Sequence, residues 1–332
     1  MSISGKLKKM FTGLDISQEY LCVVREELEE MKVSLTLGSQ PYSLEVTRTH
    51  VFLGYRPVII ALMVPQGSAG DERLECESIV GLHFGSGTFE INTTWQNIPA
   101  DRKSVARLLL HKKNRKIISG IVVYFFEGAY GEHDFINRFH QGVNRLRESI
   151  RRKKPGNVNL PGNLYEQVRI AYAVPRIISV ITVSNGTCMN MFPTDLHGSL
   201  DNCYLGSLRT GGKANDQVEQ YRRIVISEVD SSWGREAYAL GRNHMMDLES
   251  PGKFSLHREV SNQFRFPLPA AALRYRELIW KDSTDFGIHR IHLYEVASFH
   301  QVVNSLSTLA HVHQYYVQWR KNHGSSTRLI FR

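Results

Sequence analysis

Four side chains past the middle of the chain have the types and spacing to hold a phosphate. Ser207, Arg209, Lys213 and Asn215 fall where a short strand, Cys203-Tyr204-Leu205-Gly206-Ser207-Leu208, empties into Arg209-Thr210-Gly211-Gly212-Lys213-Ala214-Asn215. Two glycines free the backbone, and a helix over about 216–221 follows with Asn215 as its cap. Exposed N–H groups, a helix dipole and two cations then converge, which suits an anion. Upstream, Asn190 to Leu196 ends a strand at Pro193 and opens a polar turn with Thr194 and Asp195.

The histidines and cysteines point away from a metal. His289 and His292 face opposite sides of a strand, so they do not share an ion. His311 and His313 would share a face on a strand, but the pattern from Val302 to Trp319 predicts a helix. There is no His-Glu-x-x-His, and the four cysteines (Cys22, Cys76, Cys188, Cys203) contain no Cys-x-x-Cys pair. Gly128-Ala129-Tyr130-Gly131 follows a buried strand but lacks the Rossmann spacing and a Walker lysine.

The elements that must position the polar residues lie between Pro175 and Glu228. Ile177 to Val183 is an apolar, β-branched strand. Asn185-Gly186 signals a hairpin through a type I′ turn. Cys188 to Phe192 is the return strand, and Ile224 to Val229 closes the set. Leu273 to Trp280 reads as a strand or short helix, Ile291 to Val296 as a strand, and Phe299 to Lys321 as a closing amphipathic helix.

The order is proline, apolar strand, Asn-Gly turn, a strand with Asn190-x-x-Pro193-Thr194, Ser199-Leu200-Asp201, strand, Arg/Lys loop, helix and strand. With Gly287-Ile288-His289 ahead of Glu295-Val296, it resembles the flavin reductase-like family over roughly residues 165–300. The resemblance implies an FMN-binding split β-barrel and FMN, possibly FAD, as cofactor, with NAD(P)H as the reductant. It sets the ring edge against Asn190, Thr194, Asp195 and Leu196, and the phosphate against Ser207, Arg209, Lys213 and Asn215. It brings His289, and beside the ring His197, to the flavin and nicotinamide face as the catalytic candidates. A homodimer with flavin at its interface is implied in the same way. Where the family has Ser-x-Asp-Pro and Gly-Asp-His, this chain has Ser199-Leu200-Asp201-Asn202 and Gly287-Ile288-His289. Thr194 stands for the family's serine. These departures leave open a flavin-binding or scaffold protein without turnover.

The chain has 332 residues, 42% hydrophobic and 22% charged, with a formal charge of +9. That length predicts two domains, 1–157 and 163–332, with a linker from Pro155 to Gly162. The basic surface suits anionic ligands; no nucleic-acid reading motif accompanies it. No apolar run reaches membrane-spanning length, and residues 1–10 lack the apolar core of a signal peptide, so a cytoplasmic protein is expected.

The first domain reads as α+β, giving an α+β chain overall whose second domain is the barrel. Helices are predicted over 17–31, 101–111 and 132–152. Strands are predicted over 46–53, 58–64, 75–84, 88–93 and 117–126, with 112–116 as a basic turn. No internal repeat relates the two halves at this level, and the role of the first is not written in its residues.

Overall fold

The structure is a computed structural model and describes residues 10–13, 21–24, 31–38, 43–85, 104–150, 158–304, 307–311 and 313–322. The chain begins with β1 (Leu21–Val24), β2 (Lys32–Leu37), β3 (Ser43–Glu45), β4 (His50–Tyr55) and β5 (Val58–Pro65). The helix Ala69–Cys76, β6 (Ile79–Gly85), β7 (Ser104–Ile118) and β8 (Ile121–His133) follow. The helices Arg138–Ile150 and Leu164–Ala171 lead to β9 (Arg176–Ile177), β10 (Ser179–Ser184), β11 (Met189–Thr194), β12 (His197–Leu200) and β13 (Cys203–Arg209). Then come the helix Lys213–Tyr221, β14 (Arg223–Val229), short helical turns, β15 (Leu256–Val260) and β16 (Pro267–Pro269). β17 (Ala272–Phe286), β18 (His289–Gln301), β19 (Ser307–His311) and the helix Gln314–Asn322 complete the chain.

Two seven-stranded antiparallel sheets dominate, in the orders β3-β2-β6-β7-β8-β5-β4 and β11-β10-β14-β17-β18-β13-β12. Counted along the chain, these are one and the same order, and in each a helix joins the fourth strand to the fifth. Even the irregularities agree. The β7–β8 hairpin shifts register at Leu109/Leu110 and Lys112/Asn114, and β17–β18 at Glu277/Leu278 and Trp280/Asp282, at matching distances from their turns. The halves are thus repeats of one topology, against the reading of unrelated halves. Neither sheet closes into a barrel, since its two end strands do not pair with each other.

Period-two alternation explains why the apolar runs are unbroken. Val58, Ile60, Leu62 and Val64 of β5 enter one core, and Ile59, Ala61 and Met63 enter another. β8 does likewise, with Val122, Tyr124 and Phe126 on one side and Ile121, Val123 and Phe125 on the other. The second of these cores also takes Cys203, Leu205, Ile291 and Leu293 from β13 and β18, so it lies between the two sheets. Outside that sandwich the first sheet is covered by the helix Leu164–Ala171 and by Tyr315, Tyr316 and Trp319 from the end of the chain. β1 pairs with β19, which also holds β9.

Several local expectations change. Residues 104–111 are a strand, not a helix, and 112–116 continue it: Ala106, Leu108 and Leu110 face inward, and pairing with β6 and β8 decides between two periods the triple leucine allows. The helix Arg138–Ile150 starts later than expected because β8 extends through His133. The segment read as strand 75–84 ends one helix and then forms β6. The closing helix is shorter, because β18 runs to Gln301 and β19 intervenes. The Asn185-Gly186 hairpin has a four-residue loop in which Asn185 Oδ1 accepts from the Thr187 and Cys188 N–H groups. Only Gly186 there has positive φ, so the turn is not type I′. Of the predicted helix 17–31, residues 21–24 are β1; 17–20, 25–30 and the predicted strand 88–93 lie outside the described residues. Among the described residues no helix is long and apolar enough to cross a membrane.

Candidate functional site

A cavity of about 440 Å³ opens where β4 of the first half meets the end of β11 in the second. Tyr55 comes from β4, Thr194 from the end of β11 with Asp195 just after it, Arg169 from the helix over the first sheet with Tyr172 as its C-cap, and His311 from the end of β19. Thr194 closes its ladder against Ser179, and its hydroxyl accepts from the Leu196 N–H at 3.3 Å, which turns the chain into β12. His311 sits opposite Arg176 in the β9–β19 ladder, so the small three-stranded sheet fixes it over the turn. Val168, Ile178 and Leu309 supply apolar wall.

His311 Nδ1 lies 2.6 Å from Asp195 Oδ2, and its ring centroid is 4.4 Å from that of Tyr172. Burial alone would raise the Asp195 carboxyl; the hydrogen bond and charge of His311 outweigh it and hold the group below the usual carboxylate range. Arg169 stacks on the Tyr165 ring at 4.5 Å and donates to His313 Nε2. Burial and the Arg169 charge push His313 well down, keeping it neutral. Flat aromatic walls, a carboxylate–imidazole pair and a guanidinium suit a planar ligand with a polar or anionic edge.

The structure divides the sequence-derived candidates. Thr194 and Asp195 line the cavity. Leu196 is buried in the first sheet's core. Asn190 is also buried; its amide donates to Gln217 Oε1 at 2.9 Å and to the Asn243 carbonyl at 2.9 Å, tying down the 240–246 segment. His197 Nε2 donates to the Ile177 carbonyl at 3.0 Å, and Nδ1 accepts from Tyr204 at 2.7 Å. His289 Nδ1 donates to Ser207 Oγ at 3.2 Å, and the Tyr55 N–H approaches Nε2 at 3.4 Å. Burial lowers both histidines to about 4. Both ring nitrogens of each histidine are engaged within the protein and neither lines the cavity; His289 backs the Tyr55 ring at 4.4 Å.

Ser207, Arg209, Lys213 and Asn215 do not line this cavity. Asn215 is buried, donating to the Arg209 carbonyl at 2.6 Å and accepting from His292 Nε2 at 2.9 Å. Lys213 pairs with Asp247. The helix Lys213–Tyr221 begins earlier than expected, with Gly212 rather than Asn215 as its cap. The four residues are therefore not gathered at this cavity. The residues missed by sequence reasoning are Tyr55, Arg169 and His311. Only the His311-Val312-His313 spacing gave a signal, and its helical surroundings hid it. Among the described residues no metal-holding cluster occurs.

Neither a protein-family model nor a curated protein matches the sequence. Solved structures do. An FMN-binding protein from Thermus thermophilus with bound p-hydroxybenzaldehyde matches with 17% identity and a TM-score of 0.38, over 48% of this chain and 90% of its own. An NADH:FAD oxidoreductase from Streptomyces globisporus matches with 15% identity and a TM-score of 0.38, over 45% and 89%. The styrene monooxygenase flavin reductase from Pseudomonas putida matches with 13% identity and a TM-score of 0.36, over 44% and 91%. The structural likeness of this chain is to flavin reductases and FMN-binding proteins, over somewhat less than half of its length.

Proposed function

We propose that the protein binds a flavin, FMN or FAD, and is an oxidoreductase of flavin reductase type that takes its electrons from NAD(P)H. The observation that carries this reading is the cavity itself. The Pro193-Thr194-Asp195 segment, where the sequence resemblance sets the edge of the ring, forms one wall, and Tyr55 and Tyr172 form others. A volume of about 440 Å³ falls within the range of cofactor sites. The residues fit a planar ring. Arg169 is the guanidinium on the wall, and the phosphate is assigned to it in place of Arg209 and Lys213.

When bound, the flavin supplies the hydride chemistry, so the protein's task is to bind, orient and exclude water. Tyr55 and Tyr172 give flat surfaces. Asp195 fixes the His311 tautomer with a proton on Nδ1. A second reading, a flavin binder without turnover, is favoured by the engagement of both ring nitrogens in His197 and His289. The visible spectrum of the purified protein and an FMN titration test binding; oxidation of NADH or NADPH with added FMN then separates enzyme from binder. A colourless protein that leaves FMN fluorescence unchanged at about 100 μM, a weak-binding limit, defeats both.

A further inference from the structure

We infer that one chain is a self-contained pair of docked halves in which, among the described residues, the second half keeps an open ligand position that the first has lost at the matching turn, so that it binds one ligand and needs no second copy. The inference deepens the reading above and rests on it only for the identity of the ligand.

The ladders set the correspondence. Leu44 pairs with Leu35, which pairs with Leu82; Phe192 pairs with Ile181, which pairs with Ile226. Leu82 and Ile226 take the same place relative to the turns of the two long hairpins. Pro193, Thr194 and Asp195 therefore correspond to Glu45, Val46 and Thr47. In the second half this stretch faces the cavity. In the first, Val46 is 2% exposed and sits in the core. Thr47 turns its hydroxyl back on the chain, accepting from the Val33 N–H at 2.9 Å. An apolar side chain and a self-satisfied hydroxyl take the places that Thr194 and Asp195 hold at the cavity.

The loop between the fourth strand and the helix has diverged likewise. Pro65 pairs with Ile121 as Arg209 pairs with His289, so proline replaces the arginine. The Gly67 N–H is spent on Asp71 Oδ2 at 2.8 Å. A built-in carboxylate occupies the place of a neutral Asn215 side chain.

The halves meet as subunits would. Their shared core combines β5 and β8 with β13 and β18. Val51 and Gly198 hold corresponding places on β4 and β12 and touch each other. The Ile288 N–H donates to the Arg56 carbonyl at 3.2 Å, and Lys116 Nζ lies 2.5 Å from Asp282. Tyr55, which walls the second half's cavity, belongs to the first half. The repeat thus supplies from within the chain what the expected homodimer would supply from a second copy.

Light scattering at about 10–50 μM, where a stable homodimer would persist, should give the 38.0 kDa monomer mass. Isothermal titration with FMN should give one site per chain, and Tyr55→Ala should weaken it about tenfold, as losing one ring contact would. A dimeric mass, two sites per chain, or a Tyr55→Ala protein with wild-type affinity overturns the inference. A monomeric mass with no FMN uptake overturns the flavin reading and upholds the self-contained chain.

Discussion

Tyr124 donates its hydroxyl to Asp71 Oδ1 at 2.6 Å, and the corresponding positions of the second half are His292 and Asn215, whose Nε2 and Oδ1 are 2.9 Å apart. The same interior tie between the seventh strand and the helix is made once by phenol and carboxylate and once by imidazole and amide. Asp71 also takes the Gly67 N–H and has Arg115 at 3.5 Å. Burial would raise its carboxyl, yet the Tyr124 hydroxyl, the Gly67 N–H and Arg115 together hold it below its ordinary value.

Tyr124→Phe should therefore cost about 1–3 kcal/mol, because it strips a buried carboxylate of its best donor. Urea unfolding at neutral pH measures this. The contribution of Asp71 is present above the unfolded carboxylate value and lost as pH falls through the lower folded one. Asp71→Asn should flatten that acid limb, and an unchanged limb would rule out the pairing as its source.

The buried histidines set a second pH dependence. His50 and His292 are lowered to about 3, and His83, His197 and His289 to about 4, each chiefly by burial. The unfolded chain binds protons on these rings below about 6.5, whereas the folded chain refuses them until near 4 or lower. Stability should fall as pH drops from 6.5 toward 4, with an uptake on unfolding near pH 5 to which these five rings alone contribute about four to five protons. Urea midpoints that stay level across that window would contradict the buried, neutral state.

Gly198 tests the contact between halves. A Cβ there would lie 2.5 Å from Val51 Cγ2, and valine is stiff. Gly198→Ala should destabilise by about 1–3 kcal/mol. Adding Val51→Ala should recover part of the loss, a coupling read from a double-mutant cycle. Strict additivity would mean the two strands do not touch.

Thiol reactivity offers a simple check on burial. Cys76 is exposed, while Cys203 is buried in the core between the sheets and its thiol is pushed up to about 12. A thiol reagent should label Cys76 in the folded protein and Cys203 only after denaturant is added. Rapid labelling of Cys203 in buffer would place it nearer the surface.

β10, β11, β13 and β14 were legible because their apolar runs are short, β-branched and bounded by Pro, Asn-Gly and Gly-Gly, whereas β12 reads as a polar connection and β19 as helix. β5 and β8 were legible for the same reason. β7 was not, since Leu108-Leu109-Leu110 satisfies either period and Lys112 to Lys116 imitates a turn; pairing across the sheet settles it. The repeat left only a thin trace in residue identity: His50 matches His197, Gly67 matches Gly211, and the Lys113–Glu127 ion pair matches Lys281–Glu295. Elsewhere Val46 stands for Thr194, Pro65 for Arg209 and Tyr124 for His292, and what survives is alternation, hairpin length and bulge position. Of the site, the Thr194-Asp195 turn could be read locally. Tyr55, Arg169 and His311 arrive from three distant elements, and only the packing of both halves brings them to one cavity.

Val51 resting on Gly198 shows what joining two such units in one polypeptide permits. Between identical subunits, whatever lies on the symmetry axis must confront its own twin, so a bulky side chain there meets an equally bulky one. Here each side of the seam is encoded separately, and a large residue can be matched to an empty place opposite. Each further substitution then alters one face of the molecule and leaves its counterpart untouched.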